Sequence, residues 1–412
     1  MRSADPSALT PALSRKAGER AKDGRGEFAH NVDLRADASR HPMKFWSIVY
    51  AIGAAQAALL ALALWRRPVN AAGNRVLAAW IALVGFDLAV KAGYFGAPGA
   101  DWLKPFRFVG LFPFFYGSAF YLYVRTLAEG RGLRRGDFVH LAGFVFALAA
   151  NADVFFYDRA QSQALYARLV GGHGWPQSPW LDALLFGFGV SYVIAALFLA
   201  RRYRERLRDS RSDADAMSLR WIDAMAWSQI VIWCIALAQW LFRIPWIDYP
   251  LIYGALAAWV FLIGYLSLSQ AAIAPPPPAA VPANDADAPA ADDPRFPAVE
   301  ARLSQLMAQE QLYREPALTI GQLAKRSGYP EYLVSAVINR RFDGHFWDYI
   351  NRQRIEAASR HLADADDART ILDIAYACGF TSKSTFNAAF KRQLGQTPSA
   401  YRQSKASGPR EG

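Results

Sequence analysis

In the first two thirds of this sequence, the side chains best able to do chemistry are ionisable or amide groups set in apolar surroundings. Asp87 and Lys91 stand four residues apart, one helical turn, in a stretch with no other charge; Asn151 and Asp153 lie late in a second such stretch, and Gln239 and Arg243 at the end of a third. A charge in an apolar medium is costly and persists where it is paired or serves a site. These six residues therefore define a candidate polar pocket for a small-molecule signal. An internal Asp87–Lys91 ion pair with solvated helix ends is the plainer arrangement of the same groups. Turnover has less to draw on. No HExxH, GxxxxGK[ST] or GxSxG pattern occurs, and the histidines (His30, His41, His140, His173, His345 and His361) are dispersed. The cysteines, Cys234 and Cys378, lie far apart in unlike surroundings, which removes a disulfide scaffold or a cysteine metal site. A binding protein without cofactor or metal is expected, not an enzyme. The Gly187-Phe188-Gly189 run reads as close helix packing, not as a phosphate loop.

These groups belong to a chain of 412 residues that is 53% apolar and 14% aromatic, with a formal net charge of +11. The apolar residues are unevenly spread. Between Phe45 and Leu268 the sequence returns to stretches of about 20 residues nearly free of charge, the length a helix needs to cross roughly 30 Å of hydrocarbon. Seven spans are predicted, at 45–65, 76–95, 106–127, 138–157, 180–200, 222–242 and 249–268. Arg66, Arg67 and Arg75 follow the first, Arg125, Arg131, Arg134 and Arg135 the third, and seven arginines from Arg201 to Arg220 the fifth. Such loops stay cytoplasmic. An odd number of spans then places the N-terminus outside and the C-terminus inside a cytoplasmic (inner) membrane. The Arg201–Arg211 cluster is expected to touch anionic lipid head groups. Residues 1–42 lack periodicity and a signal-peptide core and read as a disordered tail, with Met43 a candidate start of translation.

Beyond the membrane domain, 43–270, the composition changes abruptly. Residues 271–297, with four prolines from Pro275 to Pro278 and scattered aspartates, predict a semi-rigid linker that could hold a following domain up to roughly 70 Å away. From 298 to 412 the apolar residues recur at helical spacing. Thr319 and Gln322 form a capping box opening a helix that Gly328 ends, and a second helix starts at Pro330-Glu331 with Val334, Val337 and Ile338 on one face. The arrangement repeats some fifty residues on. Thr370 and Asp373 open a helix, Gly379 stops it, and Ser382 caps another whose inward residues are predicted to be Phe386, Phe390 and Leu394. Two short helices joined by a tight turn make a helix-turn-helix candidate. A long helix over 346–363 joins the two units. The expected fold is all-α: a seven-helix transmembrane bundle followed by a cytoplasmic domain with two helix-turn-helix units.

The segment IAYACGFTSKSTFNAAFKRQLGQTPSAYR, residues 374–402, resembles the signature of the AraC/XylS family of transcription regulators, and LTIGQLAKRSGYPEYLVSAVINRRFDGHFWDYINRQRIEAA resembles that family's first unit and connecting helix. The resemblance covers about a quarter of the chain. It implies two recognition helices entering successive major grooves of double-stranded DNA, about 34 Å apart. With Phe386 and Phe390 inward, Lys383, Ser384, Thr385, Asn387, Ala388 and Lys391 are the predicted DNA-facing residues of the second unit. Those of the first are Tyr332, Ser335, Ala336, Asn339 and Arg340, of which Ser335 and Ala336 are small and suit weak sequence reading. A net charge near +4 over 298–412 allows phosphate contacts without indiscriminate binding. The combined expectation is a membrane-tethered, one-component regulator whose partners are DNA, the lipid bilayer and an unknown small-molecule signal, with RNA polymerase and a homodimer as further candidates. A transporter, or a scaffold whose C-terminal domain binds protein, is the alternative.

Overall fold

The computed structural model describes residues 44–170, 179–214, 220–242, 249–268, 293–342 and 344–406. The tail read over 1–42, most of the linker and Arg243 lie outside them. Within the described residues the chain is helical, with one isolated β-bridge between Arg211 and Thr319.

Long apolar runs become long helices: α1 (Lys44–Arg66), α2 (Ala71–Gly96), α8 (Pro179–Ser210), α9 (Arg220–Phe242) and α10 (Tyr249–Leu268). Among the described residues these five are long and apolar enough to cross a membrane. Many of their apolar side chains face outward, including Leu59, Phe198 and Trp227. The third and fourth predicted spans differ from expectation. The third is divided into α3 (Leu103–Val109) and α4 (Pro113–Glu129), because Pro113 has no N–H to give Val109 and the chain turns through Gly110, Leu111 and Phe112. Pro113 then suits the first turn of α4, whose early N–H groups need no helical partner. The fourth is a 3-10 turn over Arg135–Leu141, then α5 (Ala142–Ala150) and α6 (Ala152–Phe156). At the break, Asn151 turns its amide back to donate to the Ala147 carbonyl at 2.6 Å, a bond that competes with the helical ladder. After α6, α7 (Arg159–Val170) closes this part.

The core of the bundle is aromatic. Trp80 of α2 is buried with its ring centroid 6.5 Å from Tyr116, 6.2 Å from Phe120 and 5.0 Å from Trp259. Helices α4 and α8 meet backbone to backbone, since a Cβ on Gly117 would stand 3.0 Å from the Gly189 carbonyl oxygen. Of the packing role read for the Gly187-Phe188-Gly189 run, the structure shows the part at Gly189, while Gly187 has nothing within 4 Å.

The α8 helix has 32 residues, about 48 Å at 1.5 Å each, and so outruns a bilayer core of roughly 30 Å. Its polar end docks on the C-terminal domain. Ser212 donates its backbone N–H to the Leu318 carbonyl at 2.9 Å, and Asp209 lies 2.6 Å from His345 Nδ1. The arginine-rich cluster, expected to serve lipid, thus also carries a protein contact. In the domain, α11 (Phe296–Ala308) packs on α12 (Ile320–Ser327) and α13 (Glu331–Arg341); α14 (Phe346–Ala363) crosses to α15 (Ile371–Ala377), α16 (Lys383–Leu394) and α17 (Pro398–Ala406). Helix α11 starts at Phe296, itself fully buried, two residues before the boundary read from the sequence.

Candidate functional site

The caps read from the sequence shape the surface on which the candidate DNA-facing residues stand. Thr319 accepts from the Gln322 N–H while the Gln322 side chain accepts from the Thr319 N–H, and Thr370 and Asp373 do the same for α15. Gly328 ends α12 at φ 80, a left-handed conformation suited to glycine. Gly379 is more constrained: at φ 89 it also lies where a Cβ would come within 2.7 Å of the Tyr313 carbonyl oxygen. Two helix pairs, α12 with α13 and α15 with α16, result.

Each second helix buries one face and exposes the other. Val334, Val337 and Ile338 of α13 are buried, whereas Tyr332, Asn339 and Arg340 are exposed and Ser335 and Ala336 half-buried. Tyr332 accepts from Arg295 Nη1 at 3.4 Å, and the Arg340 guanidinium lies 5.6 Å from the Phe296 ring centroid. The segment before α11 thereby reaches the candidate surface, which the sequence reading missed. Arg295 also holds the Asp293 carboxyl down to about 2 through paired hydrogen bonds.

On α16, Lys383, Ser384, Ala388 and Lys391 are exposed and Asn387 is half-buried, in keeping with an outward face. Two assignments need correction. Thr385 is 6% exposed, because its hydroxyl lies 2.8 Å from Ser382 Oγ, which also accepts the Thr385 N–H. It completes the cap instead of facing outward. Leu394, expected inside, is exposed at the end of the helix.

The connecting helix α14 holds a cation that the sequence reading passed over. Arg354 is 1% exposed; its Nε donates to the Tyr313 carbonyl at 2.7 Å and its Nη2 to the Glu315 carbonyl at 2.8 Å and to Ser212 Oγ at 3.0 Å. Burial lowers its pKa to about 10, so it stays charged at neutral pH. The nearby Trp347 ring lies 4.2 Å from the Arg392 guanidinium and 5.4 Å from that of Arg208. The sequence signal was an arginine on the apolar face of α14, next to Ile350, Ile355 and Ala358.

The five membrane-pocket candidates among the described residues do not converge, and Arg243 lies outside those residues. Asp87 and Lys91 form a buried pair, Nζ lying 2.6 and 2.7 Å from the two carboxylate oxygens, with the Tyr116 hydroxyl donating to Asp87 at 3.1 Å. They line a cavity of about 110 Å³ together with residues of α2, α4, α9 and α10. Asn151 instead accepts from Arg107, Asp153 is exposed and accepts from Tyr157, and Gln239 is half-buried away from the cavity. Gln229 is the polar residue of α9 that does line it.

Packed helix pairs with polar outer faces define a helix-turn-helix class of domain, and residues 323–404 match the family described as a helix-turn-helix domain. The chain is 32% identical over 100 residues to the regulatory protein SoxS of Escherichia coli (strain K12), covering 24% of this chain and 92% of that one. It is 30% identical over 95 residues to the probable transcription factor PqrA of Proteus vulgaris, covering 23% and 76%. It is 33% identical over 93 residues to a putative AraC-like transcription regulator of Streptomyces lividans, covering 22% and 30%. No solved structure matches. Through its C-terminal domain the chain belongs to the AraC-like family of DNA-binding transcription regulators.

Proposed function

We propose that this chain is a one-component regulator tethered to the cytoplasmic membrane, which binds promoter DNA through α13 and α16 in response to a signal sensed among its membrane helices. The observation that carries the reading is the coexistence, in one chain, of five apolar helices able to cross a membrane and a domain of AraC type. The two broken passages, α3–α4 and the turn with α5–α6, complete seven crossings. Irregular backbone at membrane depth is tolerated where other helices cover it, and the arginine-rich loops then fall on the side of the DNA-binding domain. Lys383 and Ser384, at the start of α16, are placed for base edges, and Lys391 for phosphate. RNA polymerase contact and a homodimer on repeated sites belong to the same proposal.

The test is selection of genomic fragments by the domain 293–412, at stated salt, beside a Lys383→Ala, Asn387→Ala variant. A stand-alone relative of about this extent makes the fragment a sound unit. The expected result is an enriched motif with two contacts one helical turn apart, relaxed in the variant. Lys391→Ala is expected to lower the slope of log affinity against log salt by about 1 without changing the motif. A folded domain with no enrichment would overturn the reading in favour of a scaffold or transporter.

A further inference from the structure

The cavity beside Asp87 has walls that restrict its occupant. Five aromatic rings face it, those of Trp80, Tyr116, Trp233, Tyr253 and Trp259. Rings of this kind around a carboxylate suit a cation, but that place is already filled: Lys91 Nζ pairs with Asp87 and lies 3.8 Å from the Tyr253 ring centroid. The pair is neutral as a whole. A charged ligand would have to break it and leave one buried charge without its partner, at a large cost. Two polar groups of lining residues remain unanswered among the described residues, the Trp80 Nε1 donor and the Gln229 Oε1 acceptor. Gln229, 5% exposed, lines the cavity, and its Oε1 has no hydrogen-bond partner among the described residues. A buried acceptor left so is costly, and a ligand donor recovers that cost.

We infer that this cavity binds a small uncharged aromatic molecule carrying a hydroxyl group, a phenol in its simplest form. The rings stack on its faces, and its hydroxyl donates to Gln229. At 110 Å³, less than the roughly 150 Å³ of an apolar cavity that takes up benzene, the space admits no more than a single ring. The inference deepens the reading of the chain as a signal-responsive regulator and rests on it for biological meaning, while the binding itself can be measured without DNA.

The experiment is equilibrium dialysis of labelled phenol, toluene, benzylammonium and benzoate against the full chain in lipid nanodiscs, with empty nanodiscs subtracting partition into lipid. One phenol per chain is expected above the empty discs, with toluene bound about tenfold more weakly and neither ion in excess. Gln229→Leu is expected to bring phenol and toluene level. Ala236→Trp, which intrudes on the cavity from α9, is expected to abolish both. No excess phenol, a preference for either ion, or a phenol preference that survives Gln229→Leu would overturn the site. The comparison of phenol with toluene on the unaltered chain stands even if both variants fail to insert. Failure here leaves DNA selection by the domain untouched, and failure of DNA selection leaves the dialysis untouched.

Discussion

Arg354 is a cation inside a protein core, and the groups around it explain how that is sustained. Its donors meet two carbonyls and a hydroxyl that would otherwise be buried without partners. Arg354→Met keeps an apolar stem and removes these donors; the expected loss is about 2 kcal/mol in urea unfolding of the domain 293–412, which keeps the Tyr313 and Glu315 carbonyls and lacks Ser212. Two glycines give a sharper contrast. Gly328→Ala meets open space and incurs only the strain of φ 80, about 1 kcal/mol. Gly379→Ala adds contacts of 2.7 and 2.8 Å with the carbonyl oxygens of Tyr313 and Arg314, so a markedly larger loss is expected in the same measurement. Equal losses would show that the carbonyls give way. At this scale much was legible in advance, because caps and stops are local: Thr319, Thr370, Ser382 and the glycines announce themselves by type. Thr385 did not. Its side chain follows the hydroxyl of Ser382 inward, a choice that helical spacing from Phe386 cannot express.

The elements were legible wherever the deciding property was length of apolar run, as for α1, α2, α8, α9 and α10. They were illegible where one residue breaks an otherwise apolar run, since hydropathy is alike on both sides of Pro113 and of Asn151. What packs such pieces is close approach. Gly189 sits between Gly117 of α4 and the Trp233 ring of α9, where a Cβ would meet indole carbons at 2.8 Å; Gly187, two residues earlier, has nothing within 4 Å. Gly189→Leu is therefore expected to wedge α8 from α9 and destabilise the bundle by about 1–3 kcal/mol. Gly187→Leu is expected to be tolerated. Thermal unfolding of the two variants in one detergent, read by near-ultraviolet circular dichroism, compares them; similar melting would mean that Gly189 of α8 does not pack against the Trp233 ring of α9.

For the whole molecule, the contact between α8 and the DNA-binding domain governs how a membrane event could reach DNA. The sequence suggested a domain held off by its proline-rich linker, because Asp209 and Ser212 look like any polar residues and their partners lie more than a hundred residues away. In the structure α8 runs without interruption from the bundle to Ser210, and Asp209, with Arg211 and Ser212 just past the helix end, meets the domain. On the proposed function, a rotation or shift of α8 would be passed to α14 through these contacts, where a flexible tether would absorb it. The docking uses Leu318, Thr319, His345 and Arg354, none of them on α13 or α16, and Lys383, Ser384, Ala388 and Lys391 stay exposed while the contact is made. On the proposed function, DNA and α8 would then occupy the domain together. Residues paired across a bridge stand about 4.5–5.5 Å apart at Cα, within the range a disulfide spans. Arg211→Cys with Thr319→Cys, in a chain whose Cys234 and Cys378 are replaced by alanine, is accordingly expected to cross-link on mild oxidation in membranes, after a loss of about 1 kcal/mol for the Thr319 cap. The oxidised protein is expected to bind the selected DNA within about twofold of the reduced one, a difference under 0.5 kcal/mol. Failure to cross-link would dissolve the docking, whereas cross-linking with loss of DNA binding would make release of α8 the step that turns the regulator on.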